Sequence, residues 1–91
     1  MPYNYWDLGR QQRGAVVEVI LKGSAANVFL VDSSNYELFK AGLRFRYYGG
    51  YANRSPFHVT VPIPGHWYLV IDGDSLTNRG TVLVRVLKGT R

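Results

Sequence analysis

One apolar run in the last third of the chain constrains the fold more than any other stretch. It extends from Gly65 to Asp72 and follows the turn signal Pro62-Ile63-Pro64. At the two-residue period of a β-strand, alternate side chains point to opposite faces. One face would then carry Trp67, Leu69 and Ile71, and the other Tyr68 and Val70. Because both faces are apolar, we predict a central strand that is covered on both sides.

Short apolar runs separated by turn residues make up most of the remaining chain. The ten glycines and four prolines between them favour an all-β fold over a helical bundle. We predict strands over residues 15–22, 27–32, 43–48, 57–61, 65–72 and 81–87. In three of them alternate apolar residues would share one face: Val17, Val19 and Leu21; Phe57, Val59 and Val61; and Val82, Val84 and Val86. An aromatic edge segment (Tyr3, Tyr5, Trp6) and an exposed loop over residues 7–14 precede them. We therefore predict one domain over residues 1–91, an antiparallel β-sandwich or flattened barrel of about seven strands.

The segment from Ser33 to Gly42 breaks the β pattern. Ser34 and Glu37 have the spacing of a capping box, and Gly42 occupies the position of a helix C-terminal glycine. We predict a short helical turn that docks Leu38 or Phe39 onto the sandwich. Further along, Gly49-Gly50 indicates a tight turn after the strand over residues 43–48, with a fragment of return strand over residues 51–55.

The absence of cysteine excludes a disulfide framework, a thiolate metal site and a cysteine nucleophile. The first residues lack the basic end and the apolar run of a secretory signal. The longest uninterrupted apolar run, Trp67–Ile71, is too short to span a bilayer. We therefore expect a soluble, cytoplasmic protein that does not partner with a membrane.

The chain is basic, with a net charge of +5 from eleven Lys and Arg against six Asp and Glu. A basic domain attracts polyanions such as nucleic acid, acidic lipid or an acidic protein. A charge of this size is also ordinary for a small soluble domain, where it serves solubility. Net charge alone leaves both interpretations open.

The stretch from Arg44 to Arg54 interleaves basic and aromatic residues around Gly49-Gly50. On a strand, Arg44, Arg46 and Tyr48 would share one face. Arginine forks suit phosphate or carboxylate, tyrosine rings stack on bases or sugars, and glycines let a ligand approach the backbone. The alternative is a solvated strand face whose arginine stems cover apolar surface. The ligand contacts that we predict are Arg44, Arg46, Tyr48, Tyr51 and Arg54.

Other polar groups carry weaker signals. The run Asp32-Ser33-Ser34-Asn35 does not have the spacing of a calcium loop, and a strand-end turn with a helix N-cap accounts for it. Asp72 and Asp74 flank a glycine, which indicates a tight turn more than a metal site. His58 and His66 are too few for zinc without carboxylate ligands, and no G-x-S-x-G motif accompanies them. We predict no metal, no cofactor and no catalytic residue.

A resemblance to a known family is carried by six stretches of the chain: residues 5–9, 25–28, 32–36, 47–50, 54–56 and 65–68 running into Asp72. Together they resemble a family of small bacterial domains known as DUF1883, a domain of unknown function. The resemblance spans nearly the whole chain and implies an accessory or sensing role, since in that family the domain occurs alone or joined to a TIR domain. It brings no catalytic residues.

Two further observations concern the central strand and the residues after it. The run from Asp72 to Ser75 departs from the apolar, glycine-rich continuation that the family leads us to expect. The Gly-x-Trp-Tyr opening of the central strand is also similar to β-sandwich modules that follow secreted bacterial peptidases, which supports the architecture alone.

Two functions of different class follow from these features. The first is a non-catalytic recognition module that binds an anionic or ring-bearing ligand, a nucleotide or nucleic acid, through the Arg44–Arg54 stretch. The second is a structural or protein-interaction module that docks a partner domain or a second copy through its exposed aromatic residues. Salt distinguishes them, because polyanion binding falls steeply with ionic strength. A hydrolase is a distant third hypothesis.

Overall fold

The computed structural model describes residues 3–23, 25–72 and 81–88, and these form seven strands and one helix. A four-stranded antiparallel sheet has the order β1-β6-β3-β4, and a three-stranded antiparallel sheet has the order β5-β2-β7. The predicted β-sandwich is confirmed, and the two sheets do not close into a barrel within the described residues. The elements are β1 (Asn4–Gln11), β2 (Val16–Lys22), β3 (Ala26–Asp32), α1 (Ser33–Lys40), β4 (Tyr48–Ala52), β5 (Phe57–Thr60), β6 (Gly65–Asp72) and β7 (Thr81–Leu87).

Strand β6 is the central strand that the sequence predicts. It lies between β1 and β3 in the larger sheet. Trp67, Leu69 and Ile71 are buried in the core between the two sheets. On its opposite face, Val70 is fully buried and Tyr68 half-buried beneath helix α1. The strand is therefore apolar on both faces because a sheet covers one and a helix the other.

The core between the sheets is made of alternate residues from both layers. From the smaller sheet, β2 contributes Val17, Val19 and Leu21 on one face, as predicted. Glu18 lies on the other face of β2, directly opposite His58 of β5 and Arg85 of β7. The alternation predicted for residues 57–61 and for Val82, Val84 and Val86 is confirmed by their packing on the core. Trp67 belongs to this core, and Trp6 is partly buried against it.

Helix α1 covers the outer face of the larger sheet. Its N-cap is Asp32, whose Oδ1 accepts a hydrogen bond from the Asn35 backbone N–H at 3.0 Å. The predicted capping box at Ser34 and Glu37 is wrong, because the chain turns helical directly after β3 and the last residue of that strand caps the helix. Tyr36 is the buried residue of the helix and Phe39 is half-buried beside it, whereas Leu38 is exposed.

Gly42 ends the helix as the sequence predicts. Its φ of +74° is left-handed, and its N–H donates to the Phe39 carbonyl while the Leu43 N–H donates to the Leu38 carbonyl. These two bonds form a Schellman motif, which satisfies carbonyls that the helix leaves unpaired. The chain is thereby directed into the irregular segment that leads to β4.

The strand predicted over residues 43–48 is wrong, and so is the turn at Gly49-Gly50. Residues 43–47 are irregular, and β4 runs from Tyr48 to Ala52 with both glycines inside it. The Arg46 N–H donates to the Asn35 side chain rather than to a strand. Gly49 has a φ of +115°, and a Cβ there would collide with the Val28 carbonyl of β3. The two glycines therefore allow β4 to pair closely with β3, although the sequence pattern alone indicates a turn at this position.

At the N-terminus, the edge segment predicted from the aromatic residues is a full strand. Strand β1 pairs with β6 from Asn4 to Gln11, with an irregularity between Asp7 and Gly9. The loop predicted over residues 7–14 is therefore wrong for its first five residues, and only residues 12–15 connect β1 to β2. The predicted polar loop after Asp72, with Asp74, lies outside the described residues. In the part of the chain that the structure describes, no helix has the length and apolar character needed to cross a membrane.

Candidate functional site

Strand registers bring several polar segments to one end of the sandwich. Strands β1 and β3 end where β4 and β6 begin, and β2 begins beside the end of β7. We call this the loop end, defined by the Gln11–Ala15 connection, the Val61–Gly65 connection and the first turn of α1. The opposite end carries the β2–β3 connection and residues 53–56. Residues distant in sequence therefore meet at the loop end.

A cleft of about 220 Å³ opens at the loop end beside the start of β4. Typical sites for a whole small-molecule ligand have about 300–1,000 Å³, so this cleft suits one ring or ring-bearing group of a larger ligand. It combines an aromatic wall, a cation and hydrogen-bonding groups. Its lining residues are Asp32, Asn35, Arg46, Tyr48, Ile63 and Trp67.

The apolar wall of the cleft is held rigidly. The Tyr48 ring meets the Trp67 ring edge to face, with centroids 6.1 Å apart. Trp67 is 2% exposed, and its Nε1–H donates to the Ile63 carbonyl at 3.1 Å. This bond fixes the Val61–Gly65 connection against the core and leaves the Ile63 side chain 58% exposed. Tyr48 and Ile63 therefore present apolar surface that ordered neighbours position.

The polar wall comes from the first turn of α1. Oδ1 of Asp32 accepts hydrogen bonds from the Asn35 backbone and side chain, at 3.0 and 2.9 Å, and from the Ser34 hydroxyl at 3.2 Å. Partial burial opposes ionisation of Asp32, but these bonds outweigh it and lower the pKa of its carboxyl. Asn35 also accepts the Arg46 N–H at 2.7 Å. One amide thus joins the helix cap to the segment before β4.

Arg46 supplies the positive charge of the cleft. Its side chain is exposed, while its backbone is fixed by the bond to Asn35. None of the ion pairs within the described residues involves Arg46. A guanidinium in this position is available to a phosphate or carboxylate of a ligand.

The structure divides the five predicted contact residues. It brings Arg46 and Tyr48 together at the cleft. Tyr51 lies opposite Asn27 in the β3–β4 ladder, on the outer face of the sheet, whereas Tyr48 lies opposite Leu30 and shares the core-facing side. Arg54 lines a small hollow at the opposite end of the sandwich, and Arg44 is exposed outside the cleft. The shared strand face predicted for Arg44, Arg46 and Tyr48 is wrong, because residues 43–47 are not a strand.

Part of the cleft has no signal in the sequence. Nothing in the local pattern points to Ile63 as a lining residue, and the pattern around Trp67 predicts a core position alone. The N-cap role predicted for the Asp32–Asn35 run is confirmed, but its position in a cleft depends on the β3–α1 and β5–β6 connections meeting. No local motif carries that information.

Both histidines have carboxylate partners elsewhere. His66 Nε2 lies 2.6 Å from Asp7 Oδ1 on the outer face of the larger sheet, and His58 Nε2 lies 3.1 Å from Glu18 Oε2. The Gly9 N–H and His66 lower the pKa of the Asp7 carboxyl. Arg85, followed by His58, lowers the pKa of the Glu18 carboxyl. Among the described residues, no group of three or more His, Asp or Glu side chains is placed to hold a metal ion.

Comparison with known proteins gives one match. The model of a family described as "Domain of unknown function (DUF1883)" matches residues 1–89 of the 91-residue chain. No curated protein and no solved structure matches. The match covers both sheets, helix α1 and the whole cleft.

Proposed function

The chain belongs to the DUF1883 family of domains of unknown function, and we propose that it is a recognition module that binds an anionic, ring-bearing ligand in the loop-end cleft. The observation that carries the proposal is the pairing of Arg46 with Tyr48. A guanidinium and an aromatic ring line the same cleft, beside a buried tryptophan. A nucleotide, free or within a nucleic acid, matches this combination.

Each part of a nucleotide has a complementary group in the cleft. Tyr48 and Ile63 offer apolar surface to a base, and stacking of a base on an aromatic ring is sequence-tolerant. Asp32 uses Oδ1 for the helix cap, so its Oδ2 is directed to a ribose hydroxyl in this proposal. Arg46 is then the partner of the phosphate. The rigid backbone on both walls limits the entropy lost when the ligand binds.

The proposal assigns no catalytic step to the cleft. A nucleophile needs an adjacent base, and the base needs an orienting group. The described histidines, His58 and His66, are each paired with a carboxylate and neither lines the cleft. Recognition without turnover is the role that this set of side chains supports.

An amide-resonance titration of the labelled domain tests the proposal. The probes are adenosine monophosphate, adenosine and a neutral oligosaccharide. We expect saturable shifts at Asn35, Arg46, Tyr48 and the Trp67 indole N–H with the monophosphate, and weaker ones with the nucleoside. Arg46→Gln should reduce the affinity for the monophosphate to that for the nucleoside, because the variant keeps every interaction except the one with the phosphate. No saturable shift with any nucleotide, or shifts confined to the opposite end, would overturn the proposal.

The free edge of β4 supports protein docking as a second candidate function. Among the described strands, β4 pairs only with β3, so its other edge is unpaired. Tyr48 and Tyr51 on this strand are 48% and 67% exposed. An edge strand with exposed aromatic residues is a template for pairing with another chain. Sedimentation of the domain across a concentration series tests self-association, and Tyr51→Lys should abolish any dimer that uses this edge.

A further inference from the structure

A second hollow at the loop end is lined by cations, and none of its described lining residues carries a carboxylate. Its volume is about 440 Å³, and it lies between the end of β1, the β1–β2 connection and the residue after β7. Three positive charges therefore converge from three parts of the chain. The lining residues are Arg10, Gln11, Gln12, Arg13, Ala15 and Lys88.

The backbone beneath these cations is well fixed. Gly14 and Ala15 exchange hydrogen bonds with Val61, from the Gly14 N–H to the Val61 carbonyl at 2.9 Å and from the Val61 N–H to the Ala15 carbonyl at 2.8 Å. Arg10 is held opposite His66 in the β1–β6 ladder. Lys88 directly follows the last residue pair of the β2–β7 ladder. Sheet pairing thus sets the backbone positions of Arg10 and Lys88, and the hydrogen bonds of Gly14 and Ala15 hold the connection that carries Arg13.

The carboxylates of the described residues are engaged elsewhere. Asp7 is bound by His66, Glu18 by Arg85, Asp32 by Asn35, and Glu37 by Lys40. Asp72 ends β6 at the opposite end of the sandwich. None of the ion pairs among the described residues includes Arg10, Arg13 or Lys88. Like charges brought together without a counter-charge repel one another, and an anion that binds them relieves that repulsion.

The composition of the hollow indicates which part of a ligand it contacts. Arginine forks and a lysine ammonium bind phosphate oxygens, but no aromatic ring belongs to the lining in the part of the chain that the structure describes. Without a stacking surface, bases have no platform there. The hollow therefore suits the neighbouring phosphates of a nucleic-acid backbone, whereas the Arg46–Tyr48 cleft suits a base, its sugar and the phosphate of that nucleotide.

The two sites flank one connection. Val61 is bonded to the floor of the basic hollow, and Ile63 lines the cleft. The backbone from Val61 to Ile63 spans at most about 7 Å. The hollow and the cleft therefore adjoin, and one flexible polyanion can contact both at once. We propose that the ligand is a single-stranded nucleic acid that crosses the loop end, with a base in the cleft and its adjoining phosphates on Arg10, Arg13 and Lys88. This inference rests on the proposed function for the base, but the basic hollow can be tested separately.

Fluorescence anisotropy with a short labelled oligothymidylate tests the inference. We expect Arg13→Gln to weaken binding about tenfold at low salt, as for removal of one charged hydrogen bond. The slope of log K against log salt should become shallower by about 0.7 for each phosphate that the variant no longer neutralises. Arg10→Gln and Lys88→Gln should act in the same direction. Lys22→Gln and Arg54→Gln remove the same charge at the opposite end of the sandwich and serve as matched controls.

The outcomes separate the two proposals. If Arg13→Gln and Lys88→Gln weaken oligothymidylate but not adenosine monophosphate, the basic hollow is a backbone site. If they change oligothymidylate affinity no more than Lys22→Gln does, while the monophosphate still binds at Arg46, the inference is overturned and the proposed function stands. If the hollow variants act but Arg46→Gln and Tyr48→Ala do not, the proposed cleft is wrong. For each variant, a thermal unfolding midpoint equal to that of the wild type verifies that the protein is folded.

Discussion

Tyr48 and Tyr51 belong to the same five-residue strand but point to opposite faces of the four-stranded sheet. Tyr48 lies opposite Leu30 and Tyr51 lies opposite Asn27, and Leu30 and Asn27 are themselves three residues apart on β3. An odd separation on a strand reverses the direction of the side chain. Two exposed tyrosines that are close in sequence therefore cannot both line a cleft on one face of the sheet.

This relationship predicts different effects of two matched substitutions. Tyr48→Ala removes the ring that faces the cleft and should weaken nucleotide binding about tenfold, because one stacked base is worth about 1–3 kcal/mol. Tyr51→Ala removes an equally large exposed ring from the other face and should leave nucleotide affinity unchanged. Titration of both variants by intrinsic fluorescence checks the pair. Equal losses of affinity in the two variants would contradict the assignment of the site to the cleft.

Gly49 should be sensitive to the smallest substitution. In Gly49→Ala, the new Cβ collides with the Val28 carbonyl and the backbone remains at a positive φ, so we expect a loss of about 2 kcal/mol or more in unfolding free energy. Gly50 also has a positive φ, but a Cβ there meets no atom within 4 Å. Urea denaturation of Gly49→Ala and Gly50→Ala measures the difference. A larger loss at Gly50 would show that strand pairing does not depend on the close approach at Gly49.

The N-cap at Asp32 should contribute measurably to stability. Asp32→Ala removes the acceptor for the Asn35 N–H, and loss of such a cap typically costs about 1 kcal/mol. Ser34→Ala should cost less, because Ser34 is not the cap. Urea denaturation of the two variants distinguishes the observed cap from the capping box that the sequence indicates. A greater loss of stability with Ser34→Ala would favour a helix that begins two residues later.

The stability of the smaller sheet should depend on pH through Glu18. Arg85 donates to Glu18 Oε1 at 2.5 Å, and His58 lies 3.1 Å from Oε2. These contacts lower the pKa of Glu18 below its ordinary value of 4.5. A lowered native pKa means that the unfolded chain binds the proton more readily. The contribution of Glu18 is thus fully present above the unfolded-state pKa and is lost as the pH falls through the native one.

Thermal unfolding of Glu18→Gln against the wild type checks this. We expect a lower midpoint for the variant at neutral pH and a difference that narrows below about pH 4.5, where Glu18 of the unfolded chain begins to take up its proton while the folded carboxylate is still ionised. Glu37→Gln is the control, since Glu37 is 69% exposed in its pair with Lys40 and such pairs contribute little. A Glu18→Gln difference that persists unchanged in acid would show that packing, not charge, is responsible.

The sequence by itself determined most of the strands of this protein. Apolar runs identified β2, β3, β5, β6 and β7, and alternation identified the apolar face of β2, β5 and β7, because a strand with one buried face has a period of two. Apolar residues on both faces of β6 predicted its central position, and Gly42 predicted where α1 ends. These properties depend on neighbours along the chain, so a single sequence carries them.

Tertiary structure alone decided the position of β4 and the composition of the site. The pair Gly49-Gly50 indicates a turn when only the sequence is considered. In the structure, the Val28 carbonyl of β3 lies where a Cβ at Gly49 would be, so the close pairing of β3 and β4 requires glycine within a strand. Arg46 and Trp67 line one cleft, and Arg13 and Lys88 line one hollow, because strand order and register bring distant segments to one end. The secondary-structure propensity of a local stretch carries no information about which distant strands pair. The binding surface therefore emerges only when both sheets are assembled.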